Sequence, residues 1–204
     1  MLDTDAGQAV RVEGLVKQFG SLTAVDDVSF DVKRGEIFGI LGPNGAGKTT
    51  TLEIIEGLLK PTRGTVSVLG LNVFKEPNKV KTRIGVQLQS SAYHDYLKLT
   101  EILTLLGSFY PKRVSPTELL ERVGLADKAK SRVKELSGGQ QQSFTVAASL
   151  VNDPELVILD EPTTGLDPIS RARIWQEVRD INGQLGVTIF LTTQYLEEAD
   201  ALKY

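Results

Sequence analysis

One nonapeptide restricts the fold of this chain more than any other feature. Gly42-Pro43-Asn44-Gly45-Ala46-Gly47-Lys48-Thr49-Thr50 fits the template G-x-x-x-x-G-K-[ST] without a mismatch. It follows the apolar run Ile37-Phe38-Gly39-Ile40-Leu41 and precedes a helix-like stretch, an order of strand, glycine loop and helix that belongs to an α/β core. Glycine lets the backbone turn its N–H groups inward around an anion, because left-handed dihedrals carry no Cβ clash. The helix adds unpaired N–H donors and a partial positive charge at its start. Lys48 is placed to reach terminal phosphates and the Thr49 hydroxyl to ligate Mg²⁺. These nine residues predict a nucleoside-triphosphate site.

The 204 residues suffice for one α/β domain with a modest inserted lobe, and a hydrophobic share of 41% supports a real core. The net charge of −3 is spread among interspersed charges, without the basic stripe of an electrostatic nucleic-acid binder. The chain has no cysteine, which excludes disulfides and thiolate metal sites. Met1 to Ala9 lack the basic start and apolar run of a signal peptide and read as a loose tail. No apolar run approaches the ~18 residues a membrane span needs. Any membrane crossing is expected from another chain.

Strands are expected over Val10–Val16, Val28–Val32, Thr65–Leu69 and Ile84–Leu88, with a helix over Thr50–Leu59 stopped by Lys60-Pro61. From about Leu97 to Leu150 the apolar spacing changes to three and four. Ile102, Leu105, Leu106 and Phe109 share one expected face, as do Leu119, Leu120 and Val123. Ser115-Pro116 opens the second of these helices. The continuous apolar runs Leu156–Leu159 and Val187–Leu191, on either side of a helix over Pro168–Ile181, read as buried parallel strands.

Asp160-Glu161 ends the first of those strands, where open α/β sheets bind ligands. Beside a phosphate loop, Asp160 suits Mg²⁺, directly or through water, and Glu161 suits the water that attacks a γ-phosphate. The competing reading is a pair of charges favouring the next helix. Ser137-Gly138-Gly139-Gln140 starts another helix, over Gln140–Leu150, whose N-terminus would face an anion. Its plain reading is a capped helix start. A second anion-directed helix start in one chain suggests a site shared between two subunits.

The phosphate loop, Leu136–Gln140, Ile158–Pro162 and Gly165-Leu166-Asp167 stand in the order found in ABC-type ATP-binding cassettes, which this chain resembles from about Val10 to Asp200. Phe30, Gly35-Glu36 and Glu161–Pro168 look like the ATPase subunits of multidrug and antibiotic-resistance exporters. The resemblance implies a P-loop NTPase (RecA-like) core, residues 10–89 and 150–204, with an N-terminal antiparallel β subdomain. It also implies an α-helical insertion over about 90–149. Implied cofactors are ATP and Mg²⁺. Implied partners are transporter membrane subunits and a second cassette, as homodimer or heterodimer, with no nucleic acid; the implied location is cytoplasmic, on the inner face of the cell membrane.

Residue by residue, the resemblance places Phe19 against adenine, with a core phenylalanine as the rival reading. Gln89 would join the core to the helical lobe and sense Mg²⁺ and the attacking water; otherwise it is a solvated loop glutamine. Asp167 would communicate across the dimer, or simply cap the Pro168 helix. Ser137, Gly138, Gly139 and Gln140 would cover the γ-phosphate held by the partner. Lys48, Glu161 and Gln194 form the implied catalytic set, and Thr49, Gln89 and Asp160 the metal set.

Three departures from the family pattern matter. Thr192-Thr193-Gln194 replaces Thr-Thr-His, whose histidine contacts the γ-phosphate and helps hold the attacking water. Glutamine donates a hydrogen bond but cannot become cationic. Losing a positioned transition-state donor costs about 2.7–4 kcal/mol, or ~10²–10³-fold in rate. ATP binding with slow hydrolysis is therefore expected, and the alternative function is a degenerate cassette acting as a regulatory or heterodimer partner. The only histidine, His94, is expected to be a solvated surface residue. Ser143 stands where the family has arginine, which bears on packing of the helical lobe. Finally, Tyr204 follows Gln194 closely, whereas family members continue with a further strand. The expectation is a fragment or a shortened form, with Tyr195–Leu202 starting an amphipathic helix and a missing edge strand weakening the fold.

Overall fold

A computed structural model describes residues 7–87, 93–94, 96–195 and 197–198. The chain runs through strands β1 (Gln8–Phe19), β2 (Leu22–Lys33) and β3 (Ile37–Leu41), then helix α1 (Lys48–Ile55). Next come β4 (Arg63–Val68), β5 (Leu71–Asn72), α2 (Pro77–Lys81) and β6 (Ile84–Gln87). Helices α3 (Leu99–Gly107), α4 (Pro116–Arg122) and α5 (Gly138–Ser149) follow, and then β7 (Leu156–Leu159), α6 (Pro168–Leu185) and β8 (Thr188–Thr193).

Among the described residues these strands form two four-stranded sheets. One is antiparallel with the order β2-β1-β4-β5, the other parallel with the order β3-β8-β7-β6. Every residue of β7 and β8 is buried, as their continuous apolar runs require. On β7, Leu156 and Ile158 enter the core shared with β1, β4 and α1, while Val157 and Leu159 enter the core shared with α3–α6. The sheets are joined by stacked rings of Phe30, Phe38 and Phe190, with centroids 5.3–5.9 Å apart.

Several element boundaries differ from expectation. β1 begins at Gln8, and Ala9 is fully buried, so these two residues stand in the sheet rather than in a loose tail. The β1–β2 hairpin is much longer than the two short runs expected, because β1 pairs on both sides. α1 ends at Ile55, not before Pro61. Gly57 adopts φ +75°, and the N–H groups of Gly57 and Leu58 return to the carbonyls of Ile54 and Glu53, a left-handed closure that ends the helix earlier. On α3 the buried side is Leu99, Ile102 and Leu103, with Leu106 half-buried; Leu105 and Phe109 are exposed. The stripe is phased from Leu99, and Phe109 lies beyond the helix end. Leu119, Leu120 and Val123 are buried as expected. Ser115 is the N-cap residue before Pro116, although its side chain makes no capping bond. Between residues 96 and 149 no strand occurs among the described residues. No helix among the described residues is long and apolar enough to cross a membrane.

Candidate functional site

The loop after β3 is shaped by two left-handed glycines, Gly45 at φ +82° and Gly47 at φ +83°. A Cβ on Gly47 would stand 2.2 Å from the carbonyl oxygen of Ala24, so backbone approaches backbone there and no side chain fits. α1 starts immediately afterwards, which fixes Lys48 at its first turn. The Lys48 side chain is buried: Nζ donates to the carbonyls of Gly42 (2.7 Å) and Pro43 (3.0 Å) and pairs with Glu161 Oε1 at 3.1 Å. Thr49 Oγ1 donates to Asp160 Oδ2 at 3.0 Å.

β7 delivers Asp160 and Glu161 from its carboxyl end, and the neighbouring β8 holds both. Thr192 Oγ1 donates to Asp160 Oδ1 and accepts from the Glu161 N–H at 3.0 Å. Glu161 sits at φ +47°, a costly backbone for a non-glycine residue, and Thr164 Oγ1 donates to its Oε2 at 3.0 Å. The link from β8 and the ion pair to Lys48 hold that turn in place. A cleft of 510 Å³ opens over these groups, lined by Asn44, Gly45, Gly47, Lys48, Thr49, Thr50, Glu161, Thr164 and Gln194. Phe19, Leu22 and Ala24 from the hairpin complete it. Phe19 is 47% exposed, which sets aside the core-phenylalanine reading, and Lys17 Nζ lies 4.8 Å from its ring centre.

Thr49 and Asp160 present adjacent hard oxygen donors, a set that suits Mg²⁺ completed by phosphate and water. Among the described residues no group of three or more metal-binding side chains of His, Cys, Asp or Glu occurs. The donor set therefore fits a metal carried with a phosphate ligand rather than a protein-caged ion.

Ser137–Gln140 lie elsewhere, at the start of α5. Ser137 and Gln140 form a reciprocal capping box, and Ser137 and Gly138 are exposed. Asp167 caps α6 through Ile169 N, Ser170 N and Ser170 Oγ, and the Ser170 hydroxyl leads these bonds in holding its carboxyl below the usual range. Gln89 lies outside the described residues. His94 is exposed, as expected. Ser143 is fully buried and donates to Glu177 Oε1 at 2.8 Å, while Arg173 Nε reaches the same oxygen at 2.9 Å. Burial raises the Glu177 carboxyl pKa against those bonds.

Sequence reasoning gave no site role to Thr164, Leu22 or Ala24, nor a bonding role to Thr192. Thr192 is separated from its partners by about thirty residues, and only the β7–β8 pairing brings them together.

A family model described as ABC transporter matches residues 25–164. The daunorubicin resistance ATP-binding protein DrrA3 of Streptomyces coeruleorubidus is 44% identical over 97% of this chain and 64% of its own length. The Nod factor export ATP-binding protein I of Ralstonia nicotianae is 42% identical over 94% of this chain and 61% of its own. The chain thus spans less than two thirds of these relatives' length. Among solved structures, the ATP-binding cassette MJ0796, a dimer in a post-hydrolysis state bound to ADP and Pi, is 29% identical with a TM-score of 0.82. That match covers 95% of this chain and 91% of the other. The ADP conformation of the cassette MJ1267 is 26% identical with a TM-score of 0.82, over 93% and 82%.

Proposed function

This chain belongs to the ABC transporter family, and from that premise we propose that it is the ATP-binding subunit of an exporter, coupling MgATP hydrolysis to transport through separate membrane subunits. The observation that carries the reading is the convergence of Lys48, Thr49, Asp160 and Glu161 at one cleft, with Phe19 and Gln194 on its walls.

The amides of residues 42–50 and the Lys48 ammonium would bind the phosphates, with the adenine lying toward Phe19. Thr49 Oγ1 and Asp160 would hold magnesium, which when bound neutralises charge on the phosphate oxygens. Glu161 would orient the attacking water and take its proton, and the Gln194 amide would donate toward the γ-phosphate. Gln89 would take the metal- and water-sensing role the family implies.

The capped helix start at Ser137–Gln140 and the capped Asp167 turn are not among the groups lining this cleft, which supports their use on a partner's nucleotide in a head-to-tail dimer. A second groove of 510 Å³, rimmed by Leu58 (63% exposed) and Phe109 (75% exposed), supports docking of a membrane subunit. The subunit would then sit at the cytoplasmic face of the membrane.

Calorimetric titration with MgATP tests the binding step: uptake by the wild type and its loss in Lys48→Ala are expected. Turnover with a Glu161→Gln control tests hydrolysis. Binding that survives in Lys48→Ala would sink the reading.

A further inference from the structure

Glu198 lies beyond every motif assigned above, yet its side chain is only 2% exposed. It accepts hydrogen bonds from two hydroxyls, Oε1 from Thr163 Oγ1 and Oε2 from Thr193 Oγ1. Arg171 Nε, on α6, stands 3.6 Å from Oε1, and its guanidinium lies over the Tyr195 ring at 4.4 Å. Burying a carboxylate is unfavourable unless such donors surround it. Its donors identify what the arrangement holds together.

Thr163 is two residues beyond Glu161, whose left-handed backbone needs external support. Thr193 immediately precedes Gln194, accepts from Tyr195 N at 3.1 Å, and its carbonyl accepts from Gly42 N at 3.2 Å. One carboxylate therefore bridges the turn carrying Glu161 and the strand end carrying Gln194, and through Thr193 it reaches the start of the phosphate loop.

We propose that Glu198 is a positioning residue for hydrolysis, fixing Glu161 and Gln194 relative to each other. This inference rests on the hydrolysis reading above. Glu198 is not among the residues lining the cleft; it acts through Thr163 and Thr193. A displacement of about 1 Å in reacting groups costs up to ~10²-fold in rate, whereas phosphate binding by the loop amides needs no such alignment.

The test is Glu198→Gln, which keeps volume while replacing one acceptor oxygen with an amide donor. Turnover of MgATP is expected to fall about 10- to 100-fold, with the calorimetric Kd for MgATP within about threefold of wild type. In nucleotide-free protein, amide exchange is expected to rise together at 160–164 and 192–195. Glu198→Asp, too short to reach both hydroxyls, should show the same pattern. If Glu198→Gln fails to fold, Thr163→Val removes one bridge arm and is read identically. Unchanged turnover overturns the proposal. So does an equal loss of turnover and affinity, or faster exchange confined to 195–198. A wild type that binds MgATP without turnover sinks the hydrolysis reading, and the exchange experiment then decides the bridge on its own.

Discussion

Glu56 gives the sharpest stability test. It caps the C-terminal end of α1, where the helix dipole already disfavours an anion, and it is 8% exposed against the groove beside Leu58. Burial first, then the charges of Asp160 and Glu53, raise its carboxyl from 4.5 to about 7. Between those values the folded protein keeps a proton that the unfolded chain has released. The contribution is thus fully present below pH ~4.5 and is lost as pH rises through ~7. A gap of about 2.5 units corresponds to about 3 kcal/mol, at 1.36 kcal/mol per unit. For a chain of this size that is roughly 6–12 °C in melting temperature. Glu56→Gln has the same shape and no charge to lose. Its melting temperature, measured without nucleotide or magnesium, should match wild type near pH 4.5 and exceed it by that margin above pH 8. Parallel profiles across the range, or an advantage that grows toward acid, would refute the reasoning.

Gly47→Ala should cost more than the ~1–2 kcal/mol of a left-handed alanine, since its methyl meets the Ala24 carbonyl; a lower urea midpoint would record it. Gln194→His should speed turnover, by up to ~10²–10³-fold, with little change in MgATP affinity; equal rates would show that glutamine already fills the donor role. Ser143→Ala removes a hydroxyl from a carboxylate whose other oxygen has no partner. A loss of about 1–3 kcal/mol is expected, read by chemical denaturation.

The parts of the molecule legible in sequence are those whose cause is local. A glycine loop between an apolar strand and a helix declares its own geometry, and the acidic pair after Leu156–Leu159 follows from strand direction. The capping box at Ser137 and Gln140 is written within four residues. α1 ends well before Pro61 because the left-handed Gly57 closes the helix first. The phase of α3 is ambiguous in sequence because two overlapping stripes, from Leu99 and from Ile102, fit the same period, and only packing against α4 and α5 chooses between them. Thr192 and Glu198 are hidden for another reason: the hydroxyl–carboxylate pairs Thr192–Asp160 and Thr163–Glu198 lie 32 and 35 residues apart and leave no periodic trace. The partner of Ser143 was hidden likewise, since Glu177 lies on a different helix.

β7 stands at the seam between the two cores. Its four residues alternate between two separate cores, so each of them packs against one half of the molecule while its neighbours grip the other. Trimming a single methyl group from this strand loosens one side, but its tip is still clamped by the opposite side. Asp160 and Glu161 thus inherit their steadiness from two independent anchorages. Damage to either lobe should reach the chemistry as a slight tilt of the acidic tip, long before the protein unfolds.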